Sequence, residues 1–418
     1  MGAESYSANG IEPSRGPEGV TSFADDDAYG GVAGGPNSPI FRSQLIEFFH
    51  RNAPRKVLVQ EPSDRVVGAA FTRSRADRAD ADAARAWQST LFDAGLAWRT
   101  GPKEFGGAEM SASELECFTE VAAEFELPDT HCLHVGLSIV APAIREHGTS
   151  EQKAYWLRRL WRGESIGCQL FSEPDAGSDL ASVRTTAVRD GDQWTITGQK
   201  VWSSGAHISD VGLLLARSDA DRSSRHKGLS MFLIDMSDPG VTVRPLKQIN
   251  GNSRFNEVFV EGVSVSDDRL IGGEGNGWSV ARTSLNSERD GMAVSDTLFA
   301  NPLERLIELA REVGGSQRPE IRQRIADVYS RSVISNWMMA GTSAAAGKLY
   351  STDTSNRLCS LAVELAGIAG VTDSGDRNRY CWSEMLLAIP SLRIAGGTDE
   401  IMRNLVGERE LGLPREPR

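Results

Sequence analysis

Three textures of hydrophobic spacing divide the chain. From Phe41 to about Glu164 apolar residues recur at helical intervals. Ser111-x-x-Glu114 and Thr149-x-x-Gln152 have the form of capping boxes, so each predicts a helix start. The helix opened by Thr149 carries Tyr155, Leu157, Leu160 and Trp161 and is predicted to stop at Gly163. From Ile166 to about Leu270 the texture changes to short β-rich runs. Thr185–Val188 and Trp194–Thr197 flank Asp190-Gly191, a hairpin signal. Val211–Leu215, Leu229–Ile234, Val241–Leu246 and Phe255–Val260 follow, and such close spacing predicts a compact antiparallel barrel or sandwich. Beyond the glycine-rich stretch Gly272–Gly277 the pattern is helical again. Trp278–Arg311, Glu320–Tyr350 and Thr354–Ala369 are long enough for a bundle, and Leu392–Arg415 adds a loop and a last helix.

The expected organisation is therefore a helical domain (41–165), a β domain (166–275) and a helical bundle (276–418), without internal repeats. Residues 1–40 differ from all three. They are rich in Gly, Ser, Pro and Asp and nearly lack large apolar residues, which predicts a disordered tail. This segment has no apolar core of a signal peptide, and Asp25-Asp26-Asp27 makes it too acidic for a transit peptide.

Composition narrows the function classes. A net charge of −12 without any Lys/Arg-rich tract argues against nucleic-acid binding. No apolar run approaches the ~18 residues of a membrane span. The five cysteines (117, 132, 168, 359 and 381) form no CxxC and no Cys/His zinc spacing. They fit reduced thiols in a cytoplasmic protein, with neither a disulfide framework nor a metal site.

The chemistry-bearing motif is Phe171–Asp179, FSEPDAGSD, followed by Gly198–Ala206, GQKVWSSGA. With them stand Pro102-Lys103-Glu104-Phe105-Gly106-Gly107, Glu146-His147-Gly148-Thr149, Phe255-Asn256-Glu257-Val258, Gly277-Trp278 and Gly397-Thr398-Asp399-Glu400-Ile401. Each is weak alone. In this order and spacing, residues 41–418 resemble the acyl-CoA dehydrogenase family throughout. The resemblance implies an N-terminal helical domain, a central antiparallel β-barrel and a C-terminal four-helix bundle, assembled as a tetramer or dimer. It further implies FAD held between barrel and bundle, with an acyl-CoA thioester against the flavin. A base removes the proton beside the thioester carbonyl and the flavin takes a hydride from the next carbon. Electrons then leave to an electron-transfer flavoprotein. Because that proton is too weakly acidic for a carboxylate in free substrate, donors at the carbonyl oxygen are required.

Residue by residue, the resemblance places Phe171 and Ser172 at the flavin-contacting turn. Trp202 matches the indole packed on the flavin, and Ser204 the hydroxyl near its hydride-accepting nitrogen. Taken alone, Trp202 reads first as a plain core tryptophan ending a strand. Gly177 and Ser178 fall where the chain passes the pyrophosphate and the CoA arm, although a turn with a capping Asp179 accounts for them too. Thr398 and Glu400 match FAD-touching residues, and ordinary helix-start chemistry suits both. Gly367 and Gly370 resemble a turn that meets a neighbouring subunit's flavin, or a plain helix end. Gln323 matches a flavin-contacting glutamine, while Asn286 and Arg289 align with substrate-binding positions.

Two departures stand out. Many family members carry the base two residues before the Thr of the Gly-Thr turn, where this chain has Gly396. A smaller branch, including isovaleryl- and long-chain-type members, carries it on the first bundle helix. Glu288, in Leu285-Asn286-Ser287-Glu288-Arg289, falls on that position. Gly396 then leaves room for the carboxylate, and its N–H remains as a carbonyl donor. A surface glutamate paired with Arg289 is the plainer reading of Glu288. The second departure is the absence of an Arg-x-x-Phe-Gly segment between Arg311 and Gln323, which the family uses to grip the neighbouring subunit's FAD. Members built from two unlike subunits also lose it. A subunit of a hetero-oligomer and a flavin monooxygenase on the same fold are therefore the alternatives to a homo-oligomeric dehydrogenase. Chain length, branching and the choice between CoA and a carrier protein lie in pocket shape, which the motifs do not encode.

Overall fold

The structure is a computed structural model that describes residues 39–56, 76–294, 302–339, 343–372 and 377–415. The tail expected over residues 1–40 falls, but for its last two residues, outside the described residues.

The first helices are α1 (Pro39–Asn52), α2 (Arg78–Asp93), α3 (Ala112–Ala122), α4 (Ala141–His147) and α5 (Ser150–Trp161). Both expected capping boxes form, at Ser111 with Glu114 and at Thr149 with Gln152. A third, unexpected one pairs Asp77 with Asp80 at the start of α2. The helices close on an aromatic core of Phe49, Trp87, Phe118 and Phe125. Phe49 stacks on Phe125 with ring centroids 5.3 Å apart. Burial of each such side chain stabilises by roughly 1.5–3 kcal/mol.

Eight strands follow: β1 (Gly167–Leu170), β2 (Thr186–Asp190), β3 (Gln193–Lys200), β4 (Val211–Arg217), β5 (Leu229–Asp235), β6 (Val241–Leu246), β7 (Phe255–Ser266) and β8 (Leu270–Ile271). The expected Asp190-Gly191 hairpin joins β2 to β3, with Gly191 at φ 63°. The closed antiparallel barrel is not found. The sheet is open, in the order β6-β7-β3-β2-β4-β5-β8, with β1 added alongside β4. Moreover β1 and β4 run parallel. The reason is topological. The chain between β1 and β4 makes a long excursion through the FSEPDAGSD turn and the β2–β3 hairpin. It returns in its original direction, which is what a parallel pair requires.

Strand β4 is buried at all seven positions. Its Leu213 and Leu215 face a core shared with α4 and α5, whereas Leu214 and Ala216 face a second core with Trp194, Phe232 and Val260. A strand covered on both faces reads as a continuous apolar run, as this one does. The Gln152 amide donates to the carbonyls of Asp268 (2.7 Å) and Leu270 (3.0 Å), tying the start of α5 to β8.

The C-terminal part holds α6 (Gly277–Val294), α7 (Pro302–Glu312), α8 (Pro319–Met339), α9 (Ala344–Ala366), α10 (Arg377–Leu392) and α11 (Asp399–Leu405). Helices α7 to α10 share one core that includes Leu306, Ile321, Leu358 and Trp382. Helix α6 packs elsewhere, its Val280 and Ala281 joining the core between the sheet and α4 and α5. Gly277 permits this approach, since a Cβ there would lie 2.6 Å from the backbone of Ser230 on β5. The sequence reading broke the helices at Tyr350 and Thr354, but the structure runs straight through them. Thr354 Oγ1 donates to the carbonyl of Tyr350, four residues back, within the helix. The N-cap is Ser343, whose hydroxyl accepts from Ala346 N–H at 3.0 Å. Among the described residues no helix is long and apolar enough to cross a membrane.

Candidate active site

The FSEPDAGSD turn leaves β1, and the residues that follow β3 lie beside it. Val201 N–H donates to the Ser172 carbonyl at 2.9 Å. Lys200, the last residue of β3, is fully buried and donates to the carbonyls of Phe171 (3.0 Å) and Leu215 (2.6 Å) and to Glu173 (2.8 Å). The Glu173 carboxylate also accepts from the backbone N–H of Arg184 (2.6 Å) and Thr185 (2.9 Å). One ammonium and one carboxylate thus fix the turn from both sides. Burial pushes Lys200 down to about 8, with Glu173 opposing part of that shift. Burial pushes Glu173 up, but the charge of Lys200 and the hydrogen bonds from Lys200, Thr185 and Arg184 outweigh it and hold the carboxyl below its ordinary value.

Directly after Lys200 the backbone turns sharply. Trp202 has φ 64°, in the left-handed region that bulky residues avoid at a cost of about 1–2 kcal/mol. Its ring stands edge-on to Phe255 (5.9 Å between centroids, 87° between planes) yet remains 61% exposed. The core-tryptophan reading is thereby excluded. Ser203 beneath it is buried; its N–H donates to the Asn256 carbonyl and its carbonyl accepts from Asn256 N–H and Nδ2. Among the described residues the Ser203 hydroxyl has no hydrogen-bond partner. An exposed indole on strained backbone, an orphaned buried hydroxyl beneath it, and the half-buried Ser172 and Ser204 alongside form a platform for a flat, polar-edged aromatic ring. The donor set fits the isoalloxazine of FAD.

Gly177 and Ser178 are exposed on the far limb of the turn, and a Cβ at Gly177 would meet nothing within 4 Å. A cleft of about 190 Å³ is lined by Asp175, Ser182, Arg184, Arg217 and Arg225. Arg217 is anchored by a 2.7 Å hydrogen bond to the Ala181 carbonyl, and Arg225 pairs with Asp179 at 3.3 Å. Arg225 is also strained, at φ 43°. None of these arginines was singled out by the sequence reading.

Glu288 lies on α6, one turn beyond Ser284. Ser284 is buried and donates to the Ile139 carbonyl at 3.3 Å. Positions 281, 284, 285 and 288 recur at i+3 and i+4, so half-buried Glu288 continues the inward face of the helix. Asn286 is exposed, and the side chain of Arg289 lies outside the described residues. His147 Nε2 meets Thr283 Oγ1 at 2.7 Å and locks α4 to α6 just below this turn.

Gly396 and Gly397 form a left-handed pair at φ 64° and 99° before α11. Thr398 caps that helix by accepting from Ile401 N–H at 3.3 Å. Its exposed neighbour Glu400 is held below its ordinary value by backbone N–H groups at the helix start and the Thr398 hydroxyl. Lys348 of α9, also missed in the sequence, donates to the carbonyls of Ala395 (2.7 Å) and Gly397. Gln323 is exposed on α8; Gly367, at φ 54°, and Gly370 end α9. The structure therefore joins Phe171, Ser172, Trp202 and Ser204 in one patch. It leaves Gln323, Gly367 and Gly370 on the helical domain.

Sequence models of three consecutive domains cover the chain: the acyl-CoA dehydrogenase N-terminal domain matches residues 65–164, the middle domain 168–263 and the C-terminal domain 275–411. The chain is 37% identical over 344 residues to the acyl-CoA dehydrogenase IpdE1 of Mycobacterium tuberculosis, spanning 79% of this chain and 88% of that protein. It is similar to the solved Tcur3481-Tcur3483 steroid ACAD, with a TM-score of 0.74 and 26% identity over 91% of this chain and 99% of that one. The ChsE4-ChsE5 complex from Mycobacterium tuberculosis gives a TM-score of 0.69 and 25% identity over 93% of this chain and 100% of that one.

Proposed function

From the premise that this chain belongs to the acyl-CoA dehydrogenase family, we propose that Glu288 is the base of the reaction and that the Gly396 N–H receives the thioester carbonyl. The reaction itself is the FAD-dependent α,β-dehydrogenation of an acyl-CoA to the trans-2-enoyl thioester. FAD, when bound, supplies the acceptor for the hydride.

The observation that carries the assignment is the inward course of α6. A surface glutamate would sit on the opposite face from Ser284. Glu288 instead extends the buried stripe, on the helix that His147 locks in place. Glycine at 396 supplies a backbone donor and no competing carboxylate. Phe171, Ser172, Trp202, Ser204 and Thr398 hold the flavin in this reading, with Gln323, Gly367, Gly370 and Glu400 meeting it from the helical domain. The arginine cleft takes the phosphates of the CoA arm, with Gly177 and Ser178 along its path, and Asn286 and Arg289 flank the thioester. Electrons pass to an electron-transfer flavoprotein in the cytoplasm, where the free cysteines stay reduced.

Anaerobic titration with a panel of acyl-CoAs tests this reading. Wild type is expected to lose its flavin absorbance with at least one member. Glu288→Gln should retain flavin and bleach roughly 10²–10⁴-fold more slowly, the usual contribution of a positioned base. Undiminished bleaching by the variant would remove Glu288 from the role.

A second reading concerns assembly. The missing Arg-x-x-Phe-Gly segment between Arg311 and Gln323, together with the similar Tcur3481-Tcur3483 and ChsE4-ChsE5 structures, each named for two components, favours an unlike subunit as partner over a homotetramer or dimer. Purification of this chain alone as a fully flavinated, active oligomer would exclude that arrangement.

A further inference from the structure

We infer that Lys348 is a positioning residue for the thioester carbonyl. The inference rests on the reading of Gly396 as the carbonyl donor. Lys348 is only 5% exposed, and its ammonium holds the carbonyls on both sides of Gly396, those of Ala395 and Gly397. In a trans peptide the C=O and the following N–H point in opposite directions. Fixing the Ala395 carbonyl on Lys348 therefore aims the Gly396 N–H away from α9.

The rest of the loop is pinned so that this constraint is transmitted. Ala395 N–H donates to Ser391 (2.8 Å) and Asp399 N–H to Arg393 (3.0 Å), both to carbonyls near the end of α10. The Arg393–Asp399 ion pair closes the loop at 2.7 Å. Without a side chain, Gly396 has no rotamer to lock it, and these contacts help to hold its left-handed φ. Lys348 also acts electronically. A cation on the carbonyl polarises the peptide and strengthens its N–H as a donor. As negative charge develops on the thioester oxygen, that polarisation favours the transition state over the bound substrate.

The test compares wild-type holoenzyme with Lys348→Met and Lys348→Arg. Lys348→Met should keep its flavin and its KM for acyl-CoA, with kcat roughly 100-fold lower, as a misplaced donor costs. Lys348→Arg, which retains charge and two donors, should recover part of the loss. Cinnamoyl-CoA, a conjugated thioester whose absorbance shifts to the red when its carbonyl accepts a strong hydrogen bond, reports the donor directly. The shift should be present in wild type and lost in Lys348→Met. If Lys348→Met does not fold, Lys348→Gln, with one donor group for two carbonyls, carries the same measurement. Unchanged kcat and an unchanged shift, or losses that merely follow flavin content and melting temperature, would overturn the inference. Failure of wild type to bleach with any acyl-CoA would instead remove the parent reading.

Discussion

Lys200 and Glu173 form a buried ion pair at 2.8 Å, and their side chains further bond backbone groups of Phe171, Leu215, Arg184 and Thr185. Removal of one partner strands the other charge in the core, which costs about 3–5 kcal/mol. Lys200→Met should therefore unfold at markedly lower denaturant and lose flavin. Lys200→Met/Glu173→Gln should recover part of the stability, because no uncompensated charge remains. Equal stability of the single and double variants in urea titrations would show that the pair acts on the turn and not on the fold.

The same pair gives stability a pH dependence of known sign. Glu173 is held below its ordinary 4.5, so its contribution is full above that value and is lost as pH falls through the folded value. Lys200 works in the opposite direction. Its pKa drops from 10.5 to about 8 on burial, so across that window the unfolded chain binds the proton that the native chain has released. Its contribution to stability therefore rises between pH 8 and 10.5. Relative to the double variant, wild type should lose stability below pH 4.5 and gain it above pH 8. Parallel unfolding curves across both windows would contradict the assignment.

Trp202 combines left-handed backbone with an exposed ring, so substitution separates stability from binding. Trp202→Gly relieves a conformational cost of about 1–2 kcal/mol and gives up only a partly exposed side chain. The apoprotein should melt at the same temperature or higher, while FAD binds more weakly. A lower apoprotein melting temperature with unchanged FAD affinity would mark Trp202 as structural.

What the sequence made legible is what adjacent residues decide. The capping boxes at Ser111 and Thr149, the Asp190-Gly191 hairpin and the FSEPDAGSD and GQKVWSSGA segments are all local patterns, and each appears in the structure. The contacts that hold the site are not local. Lys200 and Glu173 lie 27 residues apart and Lys348 bonds a carbonyl 47 residues away, so each lysine looks like a solvated side chain until the fold closes around it. The open sheet was missed for a similar reason. Short strands announce themselves, but whether β6 and β8 meet depends on twist and on the parallel entry of β1, neither of which hydrophobic alternation encodes.

On the proposal that the arginine cleft takes the phosphates of the CoA arm, it should distinguish CoA from thioester carriers that lack them. Arg184 and Arg225 already pair with Asp175 and Asp179, but at half-exposed positions where such pairs contribute little. Displacement of their carboxylate partners by a phosphate therefore costs little. Arg225→Ala should thus raise KM for an acyl-CoA roughly fivefold, equivalent to about 1 kcal/mol. The effect should fade near 1 M salt, where the screening length falls to about 3 Å. The acyl-pantetheine thioester has no phosphate and provides the control. Its KM should be the same for wild type and variant at every ionic strength, because the proposal puts the arginines only at the distal arm. Were Arg225→Ala to weaken both thioesters equally, the cleft would be acting through the strained loop on the FSEPDAGSD turn, and the phosphates would lie elsewhere.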